Sequence, residues 1–201
     1  ASVSILGALV GRGQNGKGAF IDVAMTDAVL AWQSQTLAAT QLGRTVARDQ
    51  NMLTGGAAFY HVYQCADGEF ISLGAIEEAF WTNFCQAVGR PEWIPRQHED
   101  LPQSSLIDNV ATLFMSKTQD EWIEQLDQTD CCFMSVPEPE ELSASPQHIA
   151  RKLISDVKVA DHGNISTVLY PAWINGTPPK PRQGVQFTNV TEIMQDWRKT
   201  L

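Results

Sequence analysis

Two runs rich in aromatic and β-branched residues, Phe59–Cys65 and Phe70–Ala75, are separated only by Ala66-Asp67-Gly68-Glu69. An Asp-Gly turn between strand-like runs is a strong hairpin signal, because the turn needs a backbone conformation that glycine adopts freely. A hairpin alone is marginal in water and must be covered. The sequence that follows supplies the cover. Residues 77–88 place Phe80, Phe84 and Val88 on one helical face and stop at Gly89 and Pro91. Ser104 or Ser105 can cap a second helix containing Ile107, Val110, Leu113 and Phe114. Thr118-Gln119-Asp120-Glu121 spells a capping box opening a third, with Trp122 and Leu126 facing inward. Phe133–Val136 reads as a short strand ahead of Pro137-Glu138-Pro139, and Ser145-Pro146 opens a short helix. A second hairpin, Leu153–Val159 with Ile165–Leu169, closes around Asp161-His162-Gly163-Asn164. The segment 57–170 is thus expected to be an α+β unit.

The flanks differ. Val3, Ile5, Leu6, Leu9 and Val10 recur at helical spacing from the first residue, so the chain is expected to begin inside a helix. Gly11 to Gly16 reads as a turn, Phe20–Met25 as a mostly buried strand, and Thr26 or Asp27 as the cap of a helix running to Gly43. Helix, strand, helix is a piece of an α/β layer, and one strand cannot make a sheet. A partner chain or an N-terminal segment is expected to supply the others. Beyond Pro171 the proline-rich run to Arg182 predicts an extended strap, followed by a helix over Thr191–Lys199.

Charge narrows the partners. Asp and Glu outnumber Lys and Arg by 23 to 14, a net charge of -9 that repels a nucleic-acid backbone. No apolar run approaches the ~20 residues of a membrane span, and the apolar opening lacks the basic leader of a signal peptide. Cysteines at 65, 85, 131 and 132 show neither zinc spacing nor a disulfide framework. They are read as reduced, buried thiols of a cytoplasmic protein.

Candidate chemistry is sparse. Gly11, Gly13 and Gly16 spell G-x-G-x-x-G, but a phosphate cradle needs strand, loop, helix, and the order here is helix, loop, strand. Nucleotide binding is therefore not expected. Gly55-Gly56 reads either as a mobile loop or as a domain-entry turn. Glu77 follows the strand end and sits near the start of a helix, where a carboxylate serves either as a cap shared with Glu78 or as a cleft residue. His61, His98, His148 and His162 show no metal spacing; His61 belongs to a cleft wall or to the core, and His162 to a turn. The tryptophans, Trp81 and Trp122 among them, read as core or interface.

Several segments together resemble the family III CoA-transferases, closest to their α-methylacyl-CoA racemase branch. Gly16-Lys17-Gly18-Ala19-Phe20-Ile21-Asp22-Val23 is similar to the family's Gly-Lys-Gly strand, and Asn51-Met52-Leu53-Thr54-Gly55-Gly56 to its linker and glycine loop. Cys65-Ala66-Asp67-Gly68 and Gly74-Ala75-Ile76-Glu77 match the racemase branch; Gln147-His148-Ile149-Ala150-Arg151 and Gly176-Thr177-Pro178 resemble later segments. The resemblance implies residues 1–50 as a remnant of a large α/β domain, 51–170 as a small inserted α+β domain with its linkers, and 171–201 as a strap and helix. It implies interlocked dimers or a complementing N-terminal chain, an acyl-CoA substrate and no tightly bound cofactor. In racemases of the family a His and an Asp exchange the α-proton of the thioester, whereas transferases use the Asp as nucleophile through acyl anhydrides. Glu77 aligns with an active-site Glu that supports the His, and Gly55-Gly56 with the loop covering the intermediate. The His and Asp themselves are expected upstream of Ala1, so catalysis by these residues alone is not expected. Gln183-Gly184-Val185-Gln186 departs from the family's Gly-Glu-His-Thr tail.

Overall fold

The computed structural model describes residues 1–44, 47–159 and 163–181. The chain divides into two units, Ala1–Ser135 and Val136–Leu201. In the first, the hairpin forms where the Asp-Gly turn puts it. Strand β1 (Tyr60–Gln64) pairs antiparallel with β2 (Phe70–Gly74), Val62 opposite Ser72, and Gly68 takes a φ of 92° in the turn. Strand β3 (Phe133–Val136) adds to β2, giving the order β1-β2-β3.

The alternation of β2 decides which face is buried: Ile71 and Leu73 point into the core, while Phe70 lies on the open side. Helices α4 (Glu78–Ala87), α5 (Ser104–Phe114) and α6 (Gln119–Leu126), with a 3₁₀ turn over Pro91–His98, supply the cover. The core is an aromatic column. Phe114 stands at its centre, with ring centroids 5.2 Å from Tyr63, 5.8 Å from Phe84 and 5.2 Å from Trp122. Each buried aromatic head group finds a backbone carbonyl: Trp81 Nε1 donates to Trp93, Trp122 Nε1 to Phe114 and Tyr63 Oη to Ala58. No buried side-chain nitrogen or oxygen lacks a partner among the described residues.

Several sequence expectations are met closely. The Thr118–Glu121 capping box forms, and Trp122 and Leu126 are buried. Other expectations need correction. On α4 the innermost residues are Trp81, Phe84 and Cys85, with Phe80 only packed against their edge. On α5 they are Leu106, Val110 and Phe114; Ile107 is half-buried, and the cap position is Gln103 instead of a serine. Gln103 turns its amide inward, as described below.

The larger corrections lie at the N-terminus. Helix α1 runs from Ser2 to Asn15, straight through Gly11 and Gly13, and ends at Gly16 with φ 69°. The expected turn at 11–16 is therefore the last stretch of a helix with a left-handed glycine stop. Phe20–Met25 forms no strand, and Phe20 is 96% exposed. A strand exists only through its hydrogen-bonded neighbours, and none of the described residues offers it an edge. The long helix expected from Thr26 is two, α2 (Met25–Trp32) and α3 (Ser34–Gln41), broken at Gln33, and Ala24 holds the cap position without a side-chain bond. None of these three helices buries a residue.

The second unit carries α7 (Pro146–Arg151) and the antiparallel pair β4 (Ile154–Val159) and β5 (Gly163–Val168). Trp173 donates to the Arg151 carbonyl at 3.0 Å while the Arg151 guanidinium lies 4.8 Å over its ring. His162, Gln183–Gln186 and the expected helix over Thr191–Lys199 lie outside the described residues.

Phe114 is the residue whose loss should cost most. Phe114→Ala is expected to destabilise the first unit by about 3–5 kcal/mol, read as a fall in the urea midpoint; an unchanged midpoint would show that the aromatic column does not bear the core.

Candidate functional site

The open face of the hairpin carries a cavity of about 500 Å³. Its roof is the turn over Met52–Gly56, which closes a wide backbone loop: the Gly56 amide donates to the Asn51 carbonyl at 2.9 Å. Asn51 and Thr54 tie the loop reciprocally, the Asn51 amide donating to Thr54 Oγ1. Leu53 and Gly55 face the cavity from this turn, Tyr60, His61 and Val62 from β1, and Ser72 and Gly74 from β2.

Both glycines are obligatory, for different reasons. Gly55 sits at φ 110°, a left-handed conformation that a β-carbon disfavours. Gly56 is buried, and a β-carbon there would overlap the backbone carbonyl of Gln50, which has no side-chain freedom with which to yield. The pair is thus a tightly built turn, anchored further by the Gln103 amide donating to the Gly56 carbonyl at 2.8 Å.

His61 belongs to both alternatives read from sequence. The residue is part of the cavity lining, and its ring packs 5.0 Å from Tyr63. The Val62 amide donates to His61 Nδ1 at 2.8 Å, so the neutral ring carries its proton on Nε2.

Glu77 occupies the cap position of α4, with φ -71° and ψ 138°, yet its side chain caps nothing. It makes no hydrogen bond or ion pair among the described residues, whereas its neighbour Glu78 lies 3.5 Å from His98. A capping role for Glu77 is therefore not observed; the carboxylate stands free beside the sheet. Cys132, at the cavity wall, registers it: burial first, then the Glu77 and Asp130 charges, push its thiol above the usual range.

Cys132 is a residue that sequence reading missed, and it corrects the expectation of four buried thiols. Cys65, Cys85 and Cys131 are buried, but Cys132 is exposed, with φ 51°. Burial pushes the other three thiols to about 11, 12 and 11. The residue type alone could not separate Cys132 from its buried neighbour. Only the start of β3 at Phe133 hints that consecutive side chains there face opposite ways. The described residues hold no cluster of three or more His, Cys, Asp or Glu suited to a metal, and no helix long and apolar enough to cross a membrane.

Comparisons with known proteins place this geometry. A family model described as CoA-transferase family III matches residues 1–185. Human α-methylacyl-CoA racemase is 35% identical over 143 residues, which are 67% of this chain and 36% of the human protein. Succinyl-CoA–D-citramalate CoA-transferase of Chloroflexus aurantiacus is 26% identical over 187 residues, 89% of this chain and 46% of that one. A crystal structure of a CAIB/BAIF family protein from Brucella suis superposes with a TM-score of 0.66 at 17% identity, covering 98% of this chain and 52% of that one. A Mycobacterium tuberculosis structure superposes with a TM-score of 0.61 at 22% identity, over 90% of this chain and 50% of that one. This chain therefore spans about half or less of the length of the relatives it matches, and its mixed α+β fold is theirs over that span.

Gly56→Ala is expected to cost more than about 2 kcal/mol and Gly55→Ala about 1–3 kcal/mol, both seen as earlier thermal unfolding; tolerance of alanine at both positions would contradict the turn described. Iodoacetamide should label Cys132 alone in the folded chain, with the remaining three thiols reacting only after denaturation. Peptide mass analysis showing label at Cys85 first would contradict the burial pattern.

Proposed function

The chain belongs to CoA-transferase family III, and on that premise we propose that it forms one wall of a site acting on CoA thioesters, with Glu77 and the Gly55-Gly56 turn as its contribution. The free carboxylate of Glu77 carries this reading. A side chain at a helix start that neither caps nor pairs is available to orient a group brought by another segment. In the racemase-type reaction that group is the His that exchanges the α-proton with an Asp.

The lining of the cavity favours the acyl end of the substrate. Leu53, Tyr60 and Val62 give it an apolar wall, and among the described residues no Lys or Arg lines it to meet phosphates. His61 Nε2–H supplies a donor for a carbonyl, whereas the Ser72 hydroxyl already donates to the Met134 carbonyl at 3.1 Å. The inserted-domain arrangement, with residues 1–50 as part of a large α/β domain and 51–170 as the small one, belongs to the same reading. So does the dependence on a second chain or segment for the proton-transferring pair. The Gly74-Ala75-Ile76-Glu77 resemblance favours racemase over transferase chemistry.

A non-catalytic, self-associating module is the second reading. One observation favours it: α1 to α3 leave large apolar side chains uncovered, among them Trp32 at 86% exposure and Val3 at 85%. Light scattering that finds a monomer at micromolar concentration would remove it.

The chemical test is exchange at the α-carbon. A 2-methylacyl-CoA in deuterium oxide is expected to gain α-deuterium when this chain is combined with an N-terminal family segment carrying the His and Asp, and Glu77→Gln should slow that exchange at least about tenfold. Full rate in Glu77→Gln would dismiss Glu77, and failure of every combination to bind or exchange the thioester would dismiss the reading itself.

A further inference from the structure

Two buried polar side chains lie behind the cavity wall, outside everything the proposed chemistry uses. Gln97 and Gln103 are 8% and 3% exposed, in a core that is otherwise apolar. A buried amide is costly unless it finds partners; Gln103 is bonded to backbone groups at both ends of its amide, and Gln97 through its nitrogen. Gln103 Oε1 accepts the Ala58 amide at 3.0 Å, two residues past Gly56. Its Nε2 donates to the Gln97 carbonyl at 2.9 Å and, more weakly, to those of Glu99 and Arg96 at 3.2 and 3.3 Å. Gln97 Nε2 in turn donates to the carbonyls of Ile76 at 2.8 Å and Ala75 at 3.3 Å. The bonds form one chain from the glycine turn, through the two amides, to the peptide immediately before Glu77.

We propose that Gln97 and Gln103 are positioning residues that lock the Gly55-Gly56 turn to the strand end that precedes Glu77, so that the cavity roof and the start of α4 hold a fixed spacing. The residue type fits the task. Gln103 accepts from an N–H and donates to carbonyls at once, which a carboxylate, lacking donors, cannot do. Gln97 has only carbonyls before its Nε2, so an acid there would repel what it must hold. Neither side chain lines the cavity, and a role in contacting substrate is not assigned to them. The proposal deepens the reading that the turn and Glu77 serve one site, and rests on it.

Cys132 supplies a reporter independent of catalysis, because it is exposed at the cavity wall and feels the Glu77 charge. The experiment follows iodoacetamide labelling of Cys132 against pH in the full chain and in Glu77→Gln, Gln97→Met, Gln103→Met and Val110→Ala, each first shown to unfold cooperatively. Glu77→Gln should move the profile to lower pH, since a charge that disfavours the thiolate is gone. Gln97→Met and Gln103→Met should move it the same way, raising the rate at neutral pH about two- to threefold. Their double variant should add little to either single one, as expected of links in one chain. Val110→Ala, a cavity in the same core away from this chain of bonds, should leave the profile in place. Should Gln103→Met not fold, Gln97→Met, which loses only donated bonds, carries the test. Wild-type profiles in the glutamine variants would overturn the proposal. So would an equal shift in Val110→Ala, or no shift in Glu77→Gln. If the profiles behave as expected while no thioester exchanges or binds, the positional lock stands and the CoA-thioester reading falls.

Discussion

One side of a three-stranded sheet is sealed by an aromatic column, and the other side is left open; the period-two alternation of β1 and β2 enforces that division. Ile71, Leu73 and Tyr63 are committed to Phe114, Phe84 and Trp122. A slip of one residue in the hairpin would bury Phe70 and Ser72 and expose the column, so the register is held by the whole core and not by the turn alone. Everything on the open face inherits its position from this: Tyr60, Ser72 and Gly74 can line a cavity only because their neighbours cannot leave the core.

The glycine turn and Glu77 are tied to the same frame from behind. Burial of two glutamines would ordinarily be a liability, and aliphatic residues of that volume would be cheaper to bury. The amides persist in a core with no unsatisfied side-chain polar atom among the described residues. Their benefit is geometric: they tie three separate backbone segments, at Ala58, Gln97 and Ile76, to one another. This is the kind of support that a site on loops needs if its groups are to stay within bonding reach of a ligand.

How legible this was depended on how local each signal is. The Asp-Gly hairpin, the Thr118–Glu121 box and the strand Phe133–Val136 are each specified within a few residues, and each forms. Glu77 and the glycine pair were singled out because their neighbours resemble a known family, while spacing alone favoured capping over a cleft role for Glu77, and the cap bond does not form. The misreadings share one cause, dependence on distant partners. Phe20–Met25 has strand-like composition, yet without an edge to join it forms no strand. Gly11 and Gly13 stay helical because their neighbours carry the helix and glycine costs only about 1 kcal/mol there. On α4, Trp81 was rightly read as core or interface, but the inner face drawn through Phe80, Phe84 and Val88 missed that the Trp81 indole reaches the Trp93 carbonyl across an unforeseen 3₁₀ turn. Gln97 and Gln103 gave no signal, since a glutamine in a polar stretch looks like surface until its backbone partners are known.

A site built this way has a clear division of labour. Glu77 is an exposed carboxylate with no partner among the described residues, and such a group orients or stabilises a cation well but serves poorly as the base for a thioester α-carbon unless it is desolvated. The wall formed by Leu53, Tyr60 and Val62 is apolar and, among the described residues, has no cation for a phosphate. On the proposed reading, wall, roof and orienting charge are the parts of an acyl-CoA site that need a rigid scaffold, and the hairpin would supply them. The proton-transferring groups would need desolvation, which an exposed face cannot give by itself. That reading therefore requires the chemistry to lie where the open cavity meets another surface.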